Sequence, residues 1–128
     1  MPLVTLTVRA PKSAAFKDAA LAAVHAALVA SGVPDTDRFQ RVLELDAEDF
    51  RHDGRYPDVE GAPRGDDFVL VEILLSVGRS VKVKRKILAD IVAAMARDPG
   101  VAPDHVFVVF KETLWENWSF AGGRQIHA

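Results

Sequence analysis

The order of elements in this chain occurs twice. Ser13 and Ser80 each stand just ahead of an apolar stripe spaced by four residues. The first stripe is Phe16, Ala20, Val24 and Leu28, and the second is Val83, Ile87, Ile91 and Met95. Such a stripe marks an amphipathic helix, and a serine immediately before it is a favoured N-cap. Ser31-Gly32-Val33-Pro34 stops the first helix and Asp98-Pro99-Gly100 the second, as glycine and proline do just past a helix end. The offset is 67 residues from Ser13 to Ser80 and 68 from Gly32 to Gly100. Even the wording returns, with Gly32-Val33-Pro34-Asp35 echoed by Gly100-Val101-Ala102-Pro103-Asp104.

Strands flank both helices. Leu3 to Val8 alternates apolar residues with threonine, the pattern of a half-buried strand, and Phe39 to Leu45 is a second strand. Phe68 to Leu75 is apolar except for Glu72, as in a strand covered on both faces, and Val106 to Phe110 is the fourth. Each half, about 2–45 and 68–111, is therefore a βαβ unit whose two strands run parallel. Side by side, the units predict one α+β domain over residues 1–128, a tandem βαβ repeat with a four-stranded mixed sheet and both helices on one face. The polar segment 46–67 is either a functional loop or a small hairpin excursion. Residues 112–128 form a C-terminal tail. Helices on one face cannot cover a third strand that is apolar on both, so oligomerisation is the economical cover.

Composition narrows the function. A length of 128 residues, 49% of them apolar, suits a domain with its own core. A net charge of -2 offers no footprint for nucleic acid or an anionic membrane surface. The absence of cysteine removes disulfides, thiolate metal sites and a thiol nucleophile, and fits a cytoplasmic protein. The first ten residues carry too short an apolar run for a signal sequence or a span. The four histidines are scattered: His25 beside the first helical stripe reads as packed, and His52-Asp53 lacks metal-ligand spacing, so no metal is expected. Lys82, Lys84, Arg85 and Lys86 read as the solvated face of the second helix.

Four places carry reactive chemistry. Pro2 follows the initiator methionine, whose removal leaves a secondary amine at the chain end. An α-amino group titrates at about 7.7–8.0, so modest burial or a nearby cation makes it a neutral base near pH 7. Proline at position two is also common without any role. Arg79, in Gly78-Arg79-Ser80, sits between the third strand and the second helix, where free N–H groups and a guanidinium fork suit a carboxylate; it reads equally as a solvated turn residue. Asp37 either orients a proton or forms a surface salt bridge with Arg38. Trp118 and Phe120, ahead of Gly122-Gly123-Arg124, form either an aromatic wall for a ligand or a patch packed on a neighbouring subunit.

Taken together, Met1-Pro2-Leu3, Asp37-Arg38-Phe39-Gln40, Gly78-Arg79-Ser80, Trp118-Ser119-Phe120 and Gly122-Gly123-Arg124 resemble the tautomerase superfamily over nearly the whole chain, and most of all its malonate semialdehyde decarboxylase group. The resemblance implies a homotrimer and a cofactor-independent enzyme, an isomerase or a lyase, acting on a small oxo or enol carboxylic acid. It implies that Pro2 is the catalytic amine, that Arg79 binds the substrate carboxylate with Asp37 assisting, and that Trp118 and Phe120 line the pocket. The decarboxylase group has two arginines separated by one residue at this turn, and here the first position is Val77, a pocket position without charge. That departure favours keto–enol tautomerisation over decarboxylation. The competing class is a non-enzymatic, ferredoxin-like trimeric binding module in which Pro2 is incidental.

Overall fold

The computed structural model describes residues 2–125. Along the chain run β1 (Leu3–Arg9), α1 (Ala14–Ala30), β2 (Phe39–Leu45), β3 (Val69–Ser76), α2 (Val81–Arg97) and β4 (Val106–Thr113), with short 3-10 turns at Pro103–His105 and Trp115–Asn117. The sheet has the order β2-β1-β3-β4. β1 is parallel to β2 and β3 to β4, while the central pair β1–β3 is antiparallel. Two strand–helix–strand units thus join along an antiparallel seam, which is the expected α+β arrangement.

Local chemistry explains the helix ends. Ser13 Oγ accepts the Phe16 N–H at 3.0 Å and Ser80 Oγ accepts the Val83 N–H at 3.2 Å. Each cap satisfies one of the donors a helix start leaves open. Gly32 and Gly100 have φ of 113° and 96°, which side chains disfavour, and there the chain turns out of each helix. Val33 then donates to the Leu28 carbonyl at 3.1 Å and Gly100 to that of Met95 at 2.9 Å.

One sheet face carries the core. Val4, Leu6 and Val8 of β1 and Val69, Val71, Ile73 and Leu75 of β3 are buried against Ala20, Val24 and Leu28 of α1 and Ile87, Ile91 and Met95 of α2. Each large side chain buried this way contributes roughly 1.5–3 kcal/mol, so this layer dominates folding. The opposite face is open, with Leu70 and Leu74 of β3 half-buried and Phe107 of β4 49% exposed. A polar band divides it: Lys111 pairs with Glu72 at 2.5 Å, and Arg41 Nε donates to Thr5 Oγ1 at 2.9 Å.

Strand boundaries differ slightly from the sequence reading, and the structure decides between the two forms open to segment 46–67. β4 continues to Thr113 rather than stopping at Phe110, because Glu112 and Thr113 still pair with Leu75 and Ser76; the tail therefore starts after Thr113, not at 112. Residues 46–67 form no hairpin. They are turns pinned to the body by long-range bonds, from Arg9 Nε to the Phe50 carbonyl at 2.9 Å and from Lys12 Nζ to the Asp66 carbonyl at 2.8 Å. Among the described residues no helix is long and apolar enough to cross a membrane.

Candidate active site

The strand register gathers the expected site residues at one end of the sheet. Leu3 pairs with Phe39 on one side and Leu74 on the other, so the buried Pro2 sits where β1 and β2 begin and β3 ends. β4 finishes at the same end, with Thr113 level with Ser76. Asp37, partly buried, lies two residues ahead of β2 in a turn where its N–H donates to the Pro34 carbonyl at 3.0 Å.

Beyond β3, Val77 donates its N–H to the Thr113 carbonyl at 3.0 Å and leaves its side chain 37% exposed. Gly78 follows with φ 124°, a left-handed value that lets the chain reverse into α2 at once. Arg79 is the residue this reversal delivers. It is partly buried, and its guanidinium makes one long contact, Nη1 to the Ser76 carbonyl at 3.5 Å. Its neighbours differ: Lys84 is paired with Glu112 at 2.6 Å and Lys111 with Glu72. Arg79 is thus a cation beside a helix start with its fork uncommitted to any carboxylate among the described residues, which is what an anion site requires.

The tail supplies the aromatic surface. From the end of β4 it crosses the sheet end to β2 at the other edge, where the Phe120 ring stacks on Phe39 at 5.3 Å and 6°. Trp118 lies 5.9 Å from Phe120, and its indole N–H is buried without an acceptor among the described residues. Pro2, Asp37, Val77, Arg79, Trp118 and Phe120 therefore share one end of the molecule. Phe39, whose ring completes the wall, was not singled out from sequence, since its role depends on where the tail crosses.

Other polar groups have settings of their own. His25 is buried, with Nε2 bonded to the Asp35 carbonyl at 2.9 Å, a packed histidine as expected. Lys82, Arg85 and Lys86 are exposed on α2. Asp46, Glu48 and Asp49 bring ligand atoms within 4.8 Å of one another, but all three are exposed. A cavity of about 660 Å³ opens on the far half of the open face, lined by Phe50, His52, Arg64, Phe68, Leu70 and Phe107 among others. Leu70 pairs with Thr7, four residues along β1 from Leu3, so the cavity is remote from Pro2. Segment 46–67 is also held by His105, whose Nε2 meets the Ala62 carbonyl at 3.0 Å and whose Nδ1 meets Asp67 at 3.2 Å. The Ala62 carbonyl, helped by the Asp67 carboxylate, raises the His105 pKa against the opposing effect of burial.

This doubled βαβ sheet, with Pro2 buried at one end, has the tautomerase-type fold, and the chain belongs to the tautomerase family. The match to Tautomerase_2, described as tautomerase enzyme, covers residues 37–121. A probable tautomerase of Bacillus subtilis (strain 168), YusQ, is 26% identical over 125 residues, spanning 97% of this chain and 96% of that protein. Among solved structures, FG41 malonate semialdehyde decarboxylase inhibited by 3-bromopropiolate is 28% identical with a TM-score of 0.86, over 96% of this chain and 92% of that one. A second malonate semialdehyde decarboxylase is 29% identical with a TM-score of 0.85, over 96% and 93%. A fused 4-OT symmetric trimer, at 24% identity and a TM-score of 0.76 over 96% and 94%, shares the fold.

Proposed function

We propose that the chain, with Met1 removed, is a cofactor-independent tautomerase that shifts a proton within a small oxo or enol carboxylic acid, using the Pro2 amine as its base. The observation that carries this reading is the convergence of Pro2 with the uncommitted Arg79 fork at one sheet end, in a chain of the tautomerase family. Neutral Pro2 takes a proton from carbon or from an enol oxygen and returns it at the other position. Arg79 holds the substrate carboxylate and steadies the negative charge that develops on the enolate. Asp37 orients the proton in transit. Val77, Trp118 and Phe120 form apolar walls, and excluding water there strengthens both charge interactions. Every step is a proton transfer, so no redox or electrophilic group is called for.

Decarboxylation of a 3-oxo acid is the second reading, favoured by the two malonate semialdehyde decarboxylase structures. In that mode a protonated Pro2 polarises the 3-oxo group while carbon dioxide leaves. Val77 in place of a second cation weighs against it. The chain is further proposed to work as a homotrimer, as the fused 4-OT symmetric trimer of the same fold does, with a second copy covering the open sheet face.

The chemistry can be read directly from a covalent probe. Incubation with 3-bromopropiolate, followed by peptide mass spectrometry, is expected to place one adduct on Pro2 and abolish turnover of an enol acid. Pro2→Ala should lower turnover by orders of magnitude while circular dichroism stays unchanged. An active Pro2→Ala protein would reject the assignment of the base.

A further inference from the structure

We infer that Ser76 is a positioning residue for the Pro2 amine: its hydroxyl accepts the amine N–H and aims the nitrogen lone pair at the space in front of Arg79. The inference rests on the reading of Pro2 as the base.

Ser76 closes β3 and is 0% exposed, yet its Oγ has no hydrogen-bond partner among the described residues. An unbonded hydroxyl is unfavourable in a dry place, where alanine would fill the same position with no polar group to satisfy. A strand offers it no carbonyl one turn back, the usual local partner for serine in a helix. The Ser76 carbonyl already faces Arg79 Nη1 at 3.5 Å, and its ladder partner is Thr113. What remains nearby is the chain start. β1 and β3 are antiparallel with Leu3 opposite Leu74, so one step further Pro2 comes opposite Leu75, and its nitrogen, on the N-terminal side, points to the level of Ser76. The register therefore brings Ser76 to the level of the proposed base, and its carbonyl meets the proposed carboxylate cation.

A neutral secondary amine has one N–H and one lone pair. Fixing the N–H on an oxygen also fixes the lone pair, and this is how the hydroxyl directs proton transfer. Once the amine gains a proton, the same bond becomes charge-assisted and stronger, so Ser76 favours the protonated form. The other charged and titratable groups near this end include Arg79 from the α2 turn, Asp37 and Arg38 ahead of β2, the His25–Asp35 pair from α1 and the turn after it, the Lys84–Glu112 pair from α2 and β4, and the Lys111–Glu72 pair from β4 and β3. All of them stay in place when only the hydroxyl is removed.

The test is an ¹⁵N titration of Pro2 in protein labelled with ¹⁵N-proline and shown by mass to lack Met1, alongside the pH profile of kcat/KM with an enol acid. Ser76→Ala is expected to lower the pKa of the amine by about half a unit or more. The acid limb should follow, with kcat down on the order of tenfold and KM little changed. Ser76→Thr keeps the hydroxyl and should titrate like the parent. A merely structural role would reduce activity without moving the titration. Unchanged titration in Ser76→Ala, or Ser76→Thr titrating like Ser76→Ala, would overturn the inference. Failure of the base assignment shows separately, as an active Pro2→Ala protein.

Discussion

Arg79 is held by the shape of a turn rather than by an ion pair. Gly78 reverses the chain, and the guanidinium contacts one carbonyl at the limit of hydrogen-bond length. A fork so little committed can pass its full strength to a ligand: a charge-assisted bond of roughly 1.5–3 kcal/mol. Arg79→Ala should therefore lower kcat/KM at least about tenfold. Arg79→Lys should recover part of the loss, because a point charge lacks the planar fork; steady-state kinetics with an enol acid reads both. Val77, two residues earlier and exposed, stands where a second cation would help decarboxylation. Val77→Arg should raise decarboxylation of a 3-oxo acid relative to tautomerisation, and an unchanged ratio of the two assays would count against that role. Pro2, Arg79 and Asp37 could be proposed from the sequence because a chain start and two turns are local features. Ser76 and Phe39 could not. One stands out only through a missing hydrogen bond, the other through a tail that crosses the whole sheet end.

The helices carry their own start signals, and those signals make a simple stability test. Ser13→Ala and Ser80→Ala each remove a cap of about 1 kcal/mol, which denaturant unfolding should show as separate losses. Ser80→Ala should in addition weaken substrate binding, since it loosens the turn that presents Arg79. Periodicity made both helices legible. It did not reveal the last three residues of β4, because Lys111, Glu112 and Thr113 break the apolar run even though Glu112 is tied to Lys84 and still pairs with Leu75. Segment 46–67 was equally opaque, since its anchors come from Arg9, Lys12 and His105, far away in sequence. His105 makes this anchor sensitive to pH. Its Nε2–H donates to the Ala62 carbonyl more strongly when the ring is charged, and only the protonated ring also donates from Nδ1 to Asp67. A pKa raised in the folded chain means this stabilisation is fully present below the unfolded value, about 6.5, and is lost as pH rises through the folded one. The stability difference between the parent and His105→Gln should thus be largest near pH 5.5 and shrink towards pH 9. A difference that grew with pH would contradict the assignment.

At the scale of the whole molecule, the sheet has one finished face and one open one. The helix layer buries β1 and β3 on its side, while Phe107 and Leu43 stand 49% and 44% exposed on the other. The band of Glu72, Lys111, Arg41 and Thr5 between them gives that face polar complementarity as well as apolar area. Light scattering at micromolar concentration should report three chains of 14.0 kDa per particle. Phe107→Asp should shift that population towards monomer, because a charge placed in an apolar contact loses its hydration without gaining a partner. A clean monomer in the parent protein would remove the proposed cover of the open face. At the other end of the sheet, Pro2 is proposed to act as the base once Met1 is removed. That assignment is tested most directly by measuring intact mass and turnover of an enolpyruvate-type acid on one sample. The expected result is a mass without Met1 and turnover that disappears when any residue precedes Pro2, because an amide nitrogen cannot take up the proton. Full turnover by a chain whose mass still includes Met1 would contradict it.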